Sequence, residues 1–117
     1  MITRLPGAHR TRSRAVIHNG IVHAVATSPD KAPSLYRQTQ TALAELDRTL
    51  AEAGTNKARI LTAIVYIADM AQKELMNQAW DEWAAIDNPP MRACIGATLA
   101  GDTLVEIVVT AVLPEEG

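Results

Sequence analysis

The chain contains no phenylalanine, and its aromatic residues are limited to Trp80, Trp83, Tyr36 and Tyr66. A core must therefore be built from Ala, Val, Ile, Leu and Met, whose small side chains bury little apolar area per residue. Extra burial against another copy of the chain is an expectation that follows. Cys94 is the lone cysteine, so no intrachain disulfide can form, which fits a reducing compartment. No apolar run approaches the ~18 residues of a membrane helix. Residues 1–7 also lack the apolar core of a signal peptide. The chain reads as soluble and cytoplasmic, with no membrane partner. A strong excess of one charge is also missing: the formal net charge is -2 at pH 7. That leaves no electrostatic footprint for nucleic acid. The run His9-Arg10-Thr11-Arg12-Ser13-Arg14 is the local exception; no aromatics interleave with it, and it reads as a solvated segment.

What is present suits one domain over residues 1–117, with 48% of the residues apolar. Ala15-Val16-Ile17-His18 and Ile21-Val22-His23-Ala24-Val25-Ala26 flank Asn19-Gly20, a two-residue hairpin signal because both positions accept positive φ. Ile2 to Leu5 offers a short edge strand, ended by Pro6-Gly7. Ser34 is placed to cap a helix in which Leu35, Ala42, Leu43, Leu46, Leu50 and Ala53 keep a helical period up to Gly54. Ile60 to Ile67 is β-branched and nearly all apolar, as in a central strand. Asp69 can cap a second helix carrying Met76, Ala79, Trp80 and Trp83, with Asn88-Pro89-Pro90 as its stop. Two strands follow, roughly 91–98 and 103–113. The order β-β-β-α-β-α-β-β predicts an α+β domain with a mixed six-stranded sheet and both helices on one face. The other face would be apolar and bare in a single chain, and a second copy is the simplest cover for it.

Two charges interrupt the last two strands. Arg92 stands in Pro90-Met91-Arg92-Ala93-Cys94, and Glu106 follows fourteen residues later in Val105-Glu106-Ile107. Taking a charge out of water costs several kcal/mol unless it is paired or used. These two residues therefore hold each other or hold a ligand.

Three stretches resemble the Rid/YjgF family, the reactive-intermediate (enamine/imine) deaminases also labelled endoribonuclease L-PSP-like. They are Ile60 to Asp69, Met76-Asn77-Gln78-Ala79-Trp80-Asp81-Glu82-Trp83, and Pro90 to Cys94 with Val105-Glu106-Ile107. The likeness covers nearly the whole chain and points to a lesser-studied branch. It implies a chorismate-mutase-like fold with the Ile60–Ile67 strand between the last two strands. It also implies a homotrimer whose sheets pack around an apolar centre, with a cleft at each subunit boundary.

The resemblance assigns roles residue by residue. Arg92 matches the arginine that binds the substrate carboxylate, a role its planar, permanently charged fork suits. Glu106 matches the glutamate that positions or activates water, and it is the catalytic candidate. Cys94, two residues beyond Arg92 and so on the same strand face, matches a cysteine lining the cleft; a small buried hydrophobe is the other reading. Asn77, just off the Met76/Trp80 stripe, matches an asparagine near the cleft, or is simply solvated. His18 and His23 have no ligand spacing for a metal, and the implied chemistry needs no cofactor.

The chain also departs from the deaminase pattern. Where those members carry a tyrosine it reads Arg12-Ser13-Arg14, and Val25-Ala26 stand where a serine and a glycine are usual. Thr27 or Ser28 would supply a hydroxyl only with a shift in register. Three functions are therefore in play. The first is hydrolysis of small enamines or imines derived from amino acids, of the 2-aminoacrylate type, to a 2-keto acid and ammonia. This is the activity of a 2-iminobutanoate/2-iminopropanoate deaminase. The second is non-catalytic binding of small carboxylate metabolites in the same cleft. The third is RNA cleavage, against which the acidic balance and the missing base-stacking aromatics argue.

Overall fold

In a computed structural model, which describes residues 1–115, the hairpin forms as its turn dictates. Asn19 and Gly20 both adopt positive φ, 51° and 77°. They join β2 (Ser13–His18) to β3 (Ile21–Thr27), with β1 (Thr3–Pro6) paired to the outer edge of β2. The side chain of Ser34 accepts from the Arg37 amide at 3.1 Å and starts α1 (Leu35–Ala53); Gly54, at φ 94°, closes it in the left-handed conformation that glycine adopts without strain. β4 (Ile60–Ile67) matches its expected bounds.

The next region differs from expectation in two places. Asp69 caps a single 3-10 turn (Met70–Gln72) through the Ala71 amide at 3.0 Å, and α2 (Lys73–Trp83) begins only after it. α2 also ends five residues before Asn88. Ala84 turns extended at ψ 147°, and the Trp83 carbonyl accepts from Lys57 Nζ at 2.6 Å. A partner distant in sequence thus ends the helix upstream of its proline stop. β5 (Met91–Gly96) and β6 (Val105–Val112) are both shorter than the runs that suggested them.

The sheet order is β1-β2-β3-β6-β4-β5, antiparallel except for the β4–β5 pair. β5 and β6 do not pair, because β4 lies between them. Both helices cover one face. Leu35, Leu43, Leu46 and Leu50 of α1, with Met76 and Trp80 of α2, pack on Val22, Ala24, Val65, Ile67, Ile107 and Val109. Gln38 lies fully buried in this layer, yet every polar atom of its amide is used. Its Nε2 donates to the carbonyls of Ala32 and Asp102, both at 2.9 Å, and its Oε1 accepts from the Leu104 amide at 2.9 Å. It ties α1 to the entrance of β6. On the outside of the helix pair, Tyr36 donates to Glu82 Oε2 at 2.7 Å. That bond, then desolvation and the nearby negative charge, raises the phenol above its usual 10.0.

Among the described residues nothing covers the opposite face. Cross-strand rows place Val25, Val108 and Ile64 side by side, with Thr62 and Thr110 joined through their hydroxyls at 2.6 Å one row away. Val108 and Ile95 remain 36% and 43% exposed on this flat surface. The mixed sheet, the single helix layer and the bare apolar face are thus as the sequence predicts.

Candidate functional site

Strand parity and register decide where the charges point. The helix-side row at one end of the sheet runs Ala24, Val109, Ala63, Arg92; the next runs Ala26, Ile107, Val65, Cys94. Arg92 and Cys94 therefore share a face at the sheet's β5 edge, beside α2. Both are half-buried, and Cys94 packs against the core cluster.

α2 supplies the rest of this environment. Met76, Asn77 and Trp80 lie within four residues of one another and so fall close together on a helix. Arg92 Nη2 donates to Asn77 Oδ1 at 2.7 Å, and Nη1 approaches Met76 Sδ at 3.6 Å. The guanidinium carbon lies 5.2 Å from the Trp80 ring centroid, within cation–π range. Asn77 Nδ2 in turn donates to Glu74 Oε1 at 3.2 Å. Sequence reasoning placed Arg92, Asn77 and Cys94 in one region and the structure brings them together. It took Trp80 only as core, and it missed Glu74, whose signal was its three-residue offset from Asn77 on an exposed helix surface.

Glu106 lies elsewhere. Its row is Thr27, Glu106, Tyr66, Ile95, on the face turned away from the helices. Within one chain Arg92 and Glu106 thus point to opposite sides of the sheet, and they do not hold each other. Arg92 makes no ion pair among the described residues; the pairs found are Arg14–Glu52, Arg37–Asp30 and Arg48–Glu45.

The residues at the departing positions can also be placed. Val25 is half-buried on the bare face and Ala26 is buried under the helices. Ser28 is buried and committed to its own turn, hydrogen-bonded to Thr41 and accepting from the Asp30 amide at 3.0 Å. Thr27 is directly opposite Glu106, and Tyr66 flanks Glu106 on the other side, so a carboxylate lies between two hydroxyl-bearing neighbours. Val25, Ala26 and Thr27 help line a cleft of about 430 Å3 with Arg14 and Thr49. Arg14 itself is structural: its Nε donates to the Pro6 carbonyl at 3.0 Å and its Nη1 to Thr49 at 3.1 Å. Among the described residues no group of three or more His, Cys, Asp or Glu is placed to hold a metal. No helix among them is long and apolar enough to cross a membrane.

A six-stranded mixed sheet in this order, with two helices on one face, defines an α+β protein of the YjgF, chorismate-mutase-like class. The chain belongs to the Rid/YjgF family, whose Endoribonuclease L-PSP model matches residues 3–113. It is 47% identical to a RutC family protein of Haemophilus ducreyi over 97% of both chains. It is 33% identical to the RutC family protein YoaB of Escherichia coli, over 85% of this chain and 88% of that one. A YjgF family member from Neisseria meningitidis, known as a crystal structure, superposes with a TM-score of 0.93 at 36% identity. That match covers 99% of this chain and 98% of the other.

Proposed function

We propose that this protein hydrolyses small enamine or imine intermediates derived from amino acids, of the 2-aminoacrylate type, to a 2-keto acid and ammonia in the cytoplasm. The observation that carries the reading is the state of Arg92. It is a half-buried cation whose contacts are a neutral carbonyl, a thioether and an aromatic ring. Its charge is left for an anion to balance, and a ligand carboxylate fits its fork.

In the reaction, 2-aminoacrylate in its imine form presents C=N beside the carboxylate held by Arg92. Water adds to the imine carbon to give a carbinolamine. Cleavage of the C–N bond then expels ammonia and leaves the keto acid, with the water oxygen as its new carbonyl. Glu106 orients that water, takes its proton and returns it to the nitrogen before the C–N bond breaks. Arg92 and Glu106 lie on opposite faces of one sheet, so the Glu106 that meets an Arg92-bound ligand comes from a neighbouring copy. This fits the bare apolar face around Val25, Ile64 and Val108, whose burial in a homotrimer would bring copies together at such clefts. Cys94 lines the site beside Arg92. The chemistry needs neither metal nor cofactor.

The test is release of ammonia and keto acid from an imine made in situ by an amino-acid oxidase; equal rates for wild type and Arg92→Ala would refute the proposal. A second reading, a non-catalytic carboxylate binder, is favoured by Val25 and Ala26 at the departing positions. Saturable binding of 2-oxobutanoate with no imine hydrolysis would establish it.

A further inference from the structure

We infer that Asn77, Glu74 and Trp80 are positioning residues that hold the Arg92 guanidinium as a preset carboxylate fork. Asn77 thus serves the ligand through Arg92 and does not touch it. The inference rests on the reading of Arg92 as the anchor.

The amide of Asn77 has one chemically sensible orientation here. Its carbonyl accepts from Arg92 Nη2 at 2.7 Å and its NH2 donates to Glu74 Oε1 at 3.2 Å. Turned over, it would press NH2 against a cation and carbonyl oxygen against a carboxylate, losing both bonds. Glu74 therefore fixes the sense of the amide, and the amide fixes one edge of the guanidinium. Trp80 gives it a fixed aromatic support. The indole is only 6% exposed, packed in the core cluster, and its ring centroid lies 5.2 Å from the guanidinium carbon. Of the five N–H bonds an arginine carries, two are directed at Asn77 and Met76, so three remain for a ligand.

The arrangement also keeps the charge of Arg92 available. A carboxylate in direct contact would orient the guanidinium but neutralise it. A neutral amide orients it without that loss, and the Glu74 charge is kept one residue further away. A flat anion lying in the guanidinium plane is what this fork selects.

The test is calorimetric titration with 2-oxobutanoate, together with side-chain 15N NMR of Arg92 in the free protein. Asn77→Ala and Glu74→Ala are each expected to weaken binding roughly tenfold, the scale of one hydrogen bond to a charged group. Both should also abolish the slow rotation that marks a pinned guanidinium. Glu74→Gln, which keeps the acceptor oxygen, should restore both readouts. Asn77→Asp should abolish binding at an unchanged thermal midpoint, because the new carboxylate takes the ligand's place. Glu74 is exposed and Asn77 only half-buried on α2, and neither belongs to the core cluster, so these variants should fold. Wild-type affinity and slow rotation in Asn77→Ala, with binding lost in Arg92→Ala, would overturn the positioning role and leave the anchor standing. Unchanged binding in Arg92→Ala would overturn both.

Discussion

The two charged regions of this chain are built to opposite degrees of completion. Around Arg92 a single chain supplies an orienting amide, an aromatic ring and one carboxylate behind the amide. Around Glu106 it supplies two cross-strand neighbours, Thr27 and Tyr66, on a face over which none of the described residues packs. On the proposed reading the first region would hold an anion as it stands. The second gains a wall only when something covers the sheet. In the proposed reaction the anchor is assembled within one chain, while the chemistry is deferred to an assembly of copies. That separation explains how two charges fourteen residues apart need not meet in the chain that carries them.

The largest effect should come from breaking the cover. Val108 lies centrally on the bare face between Val25 and Ile64. An unpaired carboxylate pressed into an apolar interface costs several kcal/mol. Val108→Asp is expected to shift sedimentation to the monomer and to abolish imine hydrolysis, while leaving the Arg92 environment intact. An active monomer would contradict the idea that the Glu106 region needs a neighbour.

Next comes the anchor. Arg92→Ala would remove the two charge-assisted hydrogen bonds proposed to a ligand carboxylate, about 2 kcal/mol each, and should lower kcat/KM roughly 10³-fold. Glu106→Gln should act differently, lowering kcat about 10²-fold with little change in 2-oxobutanoate affinity. The two single variants then sharpen the comparison. If each site draws Arg92 from one copy and Glu106 from another, co-refolding the impaired Arg92→Ala with the impaired Glu106→Gln will raise activity above that of either variant. Mixing without recovery would mean that both residues act from the same chain.

Much of this arrangement is legible in the sequence, and what is not has a common cause. The hairpin at Asn19-Gly20 and the run Ile60–Ile67 are local signals, and both appear where expected. The end of α2 is missed because Lys57, 26 residues earlier, takes the Trp83 carbonyl. The common face of Arg92 and Cys94 follows from period two within one strand. The opposite facing of Arg92 and Glu106 does not, because parity between strands depends on register, which the insertion of β4 sets. Gln38 was discoverable: it stands among Leu35, Ala42 and Leu46 on the apolar stripe, and a polar residue there must be bonded or destabilising.

The smallest expected effect tests whether the Glu106 row is more than a passive surface. Paired residues on adjacent strands bring their Cβ atoms to about 5 Å. On the proposed reading, the Tyr66 and Thr27 side chains would flank the water or intermediate at Glu106 from its two sides. Neither lies near Arg92, whose row continues through Ala63 on the other face. Tyr66→Phe keeps the ring and its packing and removes only the hydroxyl. It should lower kcat about tenfold, the scale of one hydrogen bond of about 1.4 kcal/mol, and leave keto-acid affinity and oligomeric state unchanged. Thr27→Val should have a smaller effect in the same direction. If Tyr66→Phe instead weakens carboxylate binding and spares kcat, the hydroxyl belongs with the anchor. The two faces would then be working less separately than their register implies.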